Sequence, residues 1–180
     1  MLPFLLPDGL SAMGLIIDWV EKPDAVLTQI VIPVFEAELL IQYYADVIVR
    51  ASWHQTAQFI SPEPLTDWGR QIQSYLLNSR QPIRLKLLTQ GTRYFHRVWH
   101  ILLTIPLGHV MTYSEVAQRL NSGPRAVARA CRENPYAGII PCHRVVAKSG
   151  LGGFMGQREG HGVALKAHIL SQERRLIEMR

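Results

Sequence analysis

The sequence predicts an α/β chain of two domains. Residues 1–90 read as a mixed α/β domain, sheet plus helix, and residues 91–180 as a mostly helical domain with a helix-turn-helix, winged-helix-like arrangement. Three observations lead there. β-rich runs surround one helical pattern up to residue 90. Beyond it, two short helical patterns flank a tight turn. The charge also reverses at the boundary: residues 1–90 carry six basic against nine acidic residues, net −3, and residues 91–180 carry thirteen against five, net +8. A chain of 180 residues, 48% hydrophobic and 18% charged with mean hydropathy +0.05, is long enough for one large domain or two small ones, and it excludes disorder and repeat architectures.

The opening stretch, MLPFLLPDGLSAMGLIID, is apolar, but Asp8 interrupts it and no basic residue precedes Lys22, so it lacks the pattern of a secretory signal. No window approaches the ~18 uncharged apolar residues of a membrane span. Gly14–Val20 and Val26–Val34 are strand-like runs separated by the turn Lys22-Pro23-Asp24, and Asp46–Trp53 is a third. Between Ser61-Pro62 and Arg80, residues Leu65, Trp68, Ile72, Tyr75 and Leu76 recur at helical spacing. Ile83–Leu88 returns as a strand, and Gln90-Gly91-Thr92 marks the boundary.

In the second half, Phe95, Val98, Trp99 and Leu102 fall at i, i+3, i+4 and i+7, and Pro106-Leu107-Gly108 ends that helix. Thr112-Tyr113-Ser114-Glu115 matches a capping box opening a helix over Tyr113–Leu120. Asn121-Ser122-Gly123 is a tight turn, and Pro124 suits the first position of the next helix. On that helix Arg125, Arg129 and Arg132 form one cationic stripe opposite Val127, Ala130 and Cys131, while Ala126 and Ala128 keep the flank small. A stripe of this kind, on the positive half of the chain, favours a polyanion and its phosphates over an ordinary solvated face.

Cys131 and Cys142 are the two cysteines, with no metal-ligand spacing and no disulfide framework. Two lone thiols suit a reducing compartment, so the expectation is a cytoplasmic protein without metal, cofactor or membrane association. Cys142 lies in the apolar run Ile139–Val146, read as a strand broken by Pro141, with His143 able to take a proton and Arg144 favouring an anion nearby. A reactive thiol with a lowered pKa and a small buried hydrophobe both remain open from these residues alone. Neighbours on a strand point to opposite faces, so Cys142 and His143 meet only through a bend or a bridging water.

The stretch Asn134-Pro135 … Ile140-Pro141-Cys142-His143-Arg144-Val145-Val146 resembles the active-site signature of the O6-alkylguanine-DNA alkyltransferases. The similarity continues through Gly91–Trp99, Ile105–Ala117, Arg125–Pro135 and Lys166 to Glu173, covering essentially all of residues 91–175. Residues 1–90 resemble the family only in general plan.

The resemblance implies a DNA-binding and catalytic C-terminal domain that repairs O6-alkylguanine in double-stranded DNA by moving the alkyl group to its own cysteine. It implies that Cys142 is the acceptor thiolate, that His143 acts on it through water, that Glu173 orients His143, and that Asn134 holds the active-site turn. It further implies that Tyr113 protonates the guanine ring and that Arg125 enters the duplex in place of the flipped nucleotide, with Ala126, Ala128, Arg129 and Arg132 on the same minor-groove surface. Pro141, Val145, Phe154 and Met155 are expected around the base and alkyl group. The product is a thioether without a carbonyl for water to attack, so one monomer repairs one lesion.

Several features depart from the family. The turn between the two helices is shorter than in many relatives, Phe154 stands where a tyrosine is common, and Met155–Gly162 is longer and lacks the usual Ser-Gly-Gly. The range of alkyl groups and the acceptance of O4-alkylthymine are left open by these changes. No cysteine precedes Cys131, so the N-terminal zinc site of some relatives is not expected. Three rival readings are weighed beside this one: a lesion binder without transfer, which would replace the cysteine; a Cys-His hydrolase, which would turn over; and a sequence-reading regulator, which would prefer one operator.

Overall fold

The computed structural model describes residues 14–55, 65–77 and 82–179. The apolar opening stretch up to Met13 and both flanks of the expected helix between Pro62 and Arg80 lie outside these residues. The described chain is a mixed α/β fold of a five-stranded sheet, a two-stranded sheet and five α-helices.

β1 (Leu15–Val20), β2 (Leu27–Val34), β3 (Ala37–Tyr44), β4 (Val47–Gln55) and β5 (Ile83–Leu88) form the larger sheet in the order β1-β5-β4-β3-β2. β5 runs parallel to both β1 and β4, and β2-β3-β4 is an antiparallel meander. β3 was not anticipated. Its turns explain why: Val34 pairs with Ala37 across Phe35-Glu36, both at positive φ (57° and 53°), and Ala45 at 53° follows β3. Such hairpin turns ordinarily announce themselves by Asn or Gly. Here Phe35 is buried against Trp53, ring centroids 6.3 Å apart, and tertiary packing replaces turn propensity.

α1 (Asp67–Leu76) links β4 to β5 and starts at Thr66, whose hydroxyl accepts a hydrogen bond from Gly69 N. Gly69 lets the helix lie close to β2: a Cβ there would come within 2.8 Å of Ile30 Cδ1. α2 (Arg93–Leu103) is capped by Thr92 and buries Val98, Trp99, Ile101 and Leu102. Trp99 Nε1 donates to Ala130 O at 2.9 Å and ties α2 to α4. The expected capping box is present at α3 (Tyr113–Arg119): Thr112 and Glu115 exchange side-chain-to-backbone hydrogen bonds. Asn121 turns the chain at φ 50°, and Pro124 opens α4 (Pro124–Arg132) as its first residue. Val127 and Ala130 face the core as expected, and Arg125, Arg129 and Arg132 face outwards.

The run around Cys142 is not a strand. Cys142–Arg144 is a single 3-10 turn, followed by β7 (Val145–Val146) pairing with β6 (Met111–Thr112). Pro141, which lacks an N–H, breaks the extended chain, and Cys142 N bonds back to Ile140 O at 2.8 Å. α5 (His161–Glu178) closes the structure.

One hydrophobic core runs from the sheet through α2, α4 and α5. The loop before Cys142 is strapped onto β4: Ala51 N donates to Pro135 O (2.7 Å) and Ala137 N to Ala51 O (3.1 Å). Gln90 Nε2 donates to Val49 O and to Tyr136 Oη, both at 2.7 Å. The sheet thus sets the position of the loop that carries the thiol.

Candidate active site

Cys142 sits buried at the start of the 3-10 turn. Asn134 builds the loop before it, its Nδ2 donating to Ile140 O (2.9 Å) and its Oδ1 accepting from Tyr136 N (3.0 Å). Burial pushes the Cys142 thiol above its ordinary pKa, opposed by the Asn134 amide, the Lys166 ammonium and nearby backbone N–H groups. Of the two states left open for the thiol, the closed site favours the neutral one, because desolvation outweighs the charges around it.

The polar machinery beside the thiol is enclosed. His143 and Glu173 are each 1% exposed. Glu173, on the inner face of α5, accepts from His143 Nε2 at 2.8 Å and from Arg144 through Nη2 (2.9 Å) and Nε (3.1 Å). Gly108 N donates to its second oxygen at 3.2 Å. Burial raises the carboxyl, but His143 and Arg144 outweigh it and hold Glu173 down at about 2. With both the His143 ring and the Arg144 guanidinium donating to it, Glu173 is a carboxylate. His143 is pushed below its ordinary pKa by burial, with Glu173 pulling it up and Arg144 and Lys166 adding to the depression. The imidazole is accordingly neutral, with its hydrogen on Nε2 facing the carboxylate and an unprotonated lone pair on Nδ1.

Arg144, expected to favour an anion nearby, has Glu173 as that anion: Nη1 donates to Ile105 O at 2.7 Å, and Nε and Nη2 donate to the Glu173 carboxylate. The positive group near the thiol is Lys166, which the sequence reading did not single out. It is fully buried, and its Nζ donates to Val145 O (2.6 Å), Leu151 O (2.7 Å) and Gly153 O (3.1 Å). Burial brings it down to about 8 against the pull of Cys142 and Cys131. A lysine on a helix ordinarily faces water. The signal that exposes this one is register: Gly162, Lys166, Ile169, Leu170 and Glu173 share the buried stripe of α5.

Tyr113, the first residue of α3, converges on the same loop. Its hydroxyl donates to Gly153 O at 3.4 Å, and Lys166 Nζ lies 5.9 Å from its ring centre. Burial pushes the phenol well up, so it holds its proton at any ordinary pH. Cys131, half-buried on α4, feels the charges of Cys142 and Lys166 and is likewise pushed up by burial. The pocket residues divide: Pro141, Val145 and Phe154 are buried and Met155 is exposed, at φ 50°. Gln157, in the lengthened loop, accepts from Gly162 N at 2.7 Å and finishes the first turn of α5.

Arg125, Arg129 and Arg132 line the outer face of α4, with Ala126 and Ala128 half-buried beside them. Arg132 pairs loosely with Glu133 at 3.5 Å. Among the described residues Arg125 and Arg129 make no ion pair, which leaves two guanidinium groups free for an anion.

Among the described residues there is no group of three or more His, Cys, Asp or Glu side chains arranged to hold a metal ion, and no helix long and apolar enough to cross a membrane.

Residues 93–175 match the family model described as 6-O-methylguanine DNA methyltransferase, DNA binding domain. A methylated-DNA–protein-cysteine methyltransferase of Archaeoglobus fulgidus is 36% identical over 109 residues, 60% of this chain and 74% of that one. One of Saccharolobus islandicus is 42% identical over 97 residues, 54% of this chain and 58% of that one. Two solved structures of the Mycobacterium tuberculosis O6-methylguanine methyltransferase superpose with TM-scores of 0.63 (27% identity, 83% of this chain and 94% of that one) and, in complex with DNA, 0.61 (26% identity, 82% and 93%). With a helix-borne carboxylate, an imidazole and a buried thiol falling inside the matched region, this chain belongs to the methylated-DNA–protein-cysteine methyltransferase family.

Proposed function

We propose that Cys142 accepts the alkyl group of O6-alkylguanine in double-stranded DNA and keeps it as a thioether, one lesion per chain. The observation that carries this reading is the enclosed relay Glu173–His143 on the turn that holds the thiol. A buried thiol is a poor resting nucleophile, so the thiolate is generated on demand. The proton leaves Sγ and reaches the unprotonated Nδ1 of His143 through a water, and the Glu173 carboxylate stabilises the imidazolium as it forms. The Cys142 thiolate then attacks the alkyl carbon in line, the carbon–oxygen bond of the lesion breaks, and guanine leaves.

Guanine departs more readily if its ring gains a proton. Tyr113 is the group for that step: its phenol stays protonated and lies at the mouth of the Lys166-bound loop. The alkyl group sits at a base edge inside the duplex, so the nucleotide has to swing out to reach a buried thiol. α4 is the element that meets the minor groove. Its arginines contact phosphate, Ala126 and Ala128 allow close approach, and Arg125 occupies the vacated stack. Pro141 and Val145 form the floor beneath the base, with Phe154 and Met155 on the loop above it.

The working unit in this proposal is a monomer with a sheet-bearing domain over residues 1–90 and a catalytic, winged-helix-like domain over residues 91–180, free in the cytoplasm. The test is intact mass after incubation with duplex DNA containing O6-methylguanine. A gain of one methyl per chain that does not increase with excess substrate supports it. No gain, or repeated turnover of the DNA without gain, overturns it.

A further inference from the structure

Two buried side-chain polar atoms have no hydrogen-bond partner among the described residues: Nδ1 of His143 and Nε1 of Trp53. Both residues are enclosed, 1% and 2% exposed. A buried polar group left unmade bears its full desolvation penalty, so two of them side by side call for an explanation.

Their chemistry is complementary. An indole N–H only donates. His143 Nδ1 only accepts, because Glu173 fixes the imidazole hydrogen on Nε2. The two rings meet edge to face, centroids 6.4 Å apart and planes at 86°. One water bridging the two nitrogens would satisfy both, through two bonds of ordinary length of ~2.9 Å. The Cys142 thiol, on the same turn as His143, offers a third polar partner, within the two to four a buried water requires.

Trp53 is held in place by the sheet and the core. It belongs to β4, opposite Leu39 in the β3–β4 register, and stacks obliquely on Phe35. Gly138, in the loop before Cys142, takes φ 88°, and a Cβ there would lie 3.0 Å from Leu39 Cδ1 and 3.2 Å from Trp53 Cε2, so this loop packs directly on Leu39 and the indole.

We propose that Trp53 is a positioning residue for the Cys142 relay: its indole N–H and His143 Nδ1 hold a shared water through which the thiol proton reaches the imidazole. This rests on the reading of Cys142 as acceptor given above. It assigns the N-terminal sheet a part in the chemistry, through one side chain that crosses the core. The charged and titratable groups that also act on the thiol and imidazole are Glu173 and Lys166 from α5, Arg144 from the 3-10 turn, Tyr113 from α3 and Cys131 from α4. None of them changes when Trp53 is replaced.

The test replaces Trp53 site-specifically by β-(3-benzothienyl)alanine, which keeps the shape and loses the N–H. Trp53→Phe, which also lacks the donor, is measured in parallel. The readout is the rate of Cys142 alkylation by iodoacetamide against pH, followed on the Cys142 peptide so that Cys131 does not contribute. The midpoint of the profile is expected to rise by about half to one pH unit, and the rate at pH 7 to fall roughly three- to tenfold, the worth of one hydrogen bond. A benzothienyl profile superimposable on that of the unmodified protein overturns the proposal. Iodoacetamide reports the relay without DNA, so failure of the parent protein to take methyl from DNA would count against the functional reading and leave this test intact.

Discussion

The two halves of this chain differ in how much charge they bury. In the sheet half, ion pairs sit in water: Arg84–Asp18 at 3.0 Å joins neighbouring strands, and Lys86–Asp46 at 2.7 Å joins β5 to the turn between β3 and β4. In the half beyond residue 90, His143, Arg144, Lys166 and Glu173 are withdrawn from solvent and bonded to one another or to carbonyls. Exposed pairs contribute roughly 0–1 kcal/mol each, whereas removing one partner of a buried pair costs about 3–5 kcal/mol. A polar cluster so expensive to break and so easily replaced by apolar residues is retained for what it does. Chemistry is therefore located by where polarity is buried, and the sheet contributes the frame that holds the loop from Pro135 to Pro141 in place.

The contrast can be broken experimentally, beginning with the thiol. Cys142→Ala is expected to abolish alkyl transfer completely while DNA affinity and its salt dependence stay at the parent level, measured by mass and by fluorescence anisotropy. Glu173→Gln comes next. It leaves the Arg144 guanidinium buried without its carboxylate and is expected to destabilise by about 3–5 kcal/mol in urea unfolding, with transfer slowed as well. Asp18→Asn, the sheet-half counterpart, is expected to cost under about 1 kcal/mol. Equal losses for the two would erase the distinction drawn here.

Acid should act through the same cluster. Folded Glu173 titrates at about 2 against an ordinary 4.5, so protons bind the unfolded chain first. Its contribution is complete above pH 4.5, declines as pH falls below that, and is gone near pH 2; it amounts to on the order of 3 kcal/mol. His143, held neutral, has a pKa below its unfolded value of 6.5, so its share is present above pH 6.5 and is lost as pH falls below it. Unfolding free energies measured from pH 7 to pH 3 are expected to fall, and to fall less steeply in Glu173→Gln. The smallest effects belong to the surface of α4. Arg129→Ala is expected to weaken binding to all duplexes alike and to lower the slope of log affinity against log salt by about one. Arg125→Ala is expected to weaken capture of the lesion more than binding to undamaged DNA.

Much of this was legible in the sequence, for physical reasons that differ by element. β1, β2, β4 and β5 show as apolar β-branched runs, and α3 shows through Thr112 and Glu115, since caps and alternation are local. β3 was hidden because Phe35-Glu36 and Ala45-Asp46 turn the chain without Gly or Asn, and the strain is offset by the burial of Phe35. Cys142, His143, Asn134 and Glu173 were singled out together through the resemblance of residues 91–175 to a known family, since the local residues alone left the state of Cys142 open. Lys166 was missed because a lysine's default is water, although its place in the buried register of α5 was there to be counted. Arg144 was read as favouring an anion nearby, and Glu173 is that anion. Trp53 could not be read at all: its contact with His143 joins residues 90 positions apart and exists only once the sheet and the 3-10 turn are packed together.

The central claim is that one sulfur, enclosed and activated by its neighbours, receives the lesion's alkyl carbon. Peptide mapping after reaction with isotopically labelled O6-methylguanine duplex measures this most directly. Label is expected on Cys142 alone, one equivalent per chain. Label on Cys131, or full loss of methyl from the DNA with no label on the protein, would contradict it.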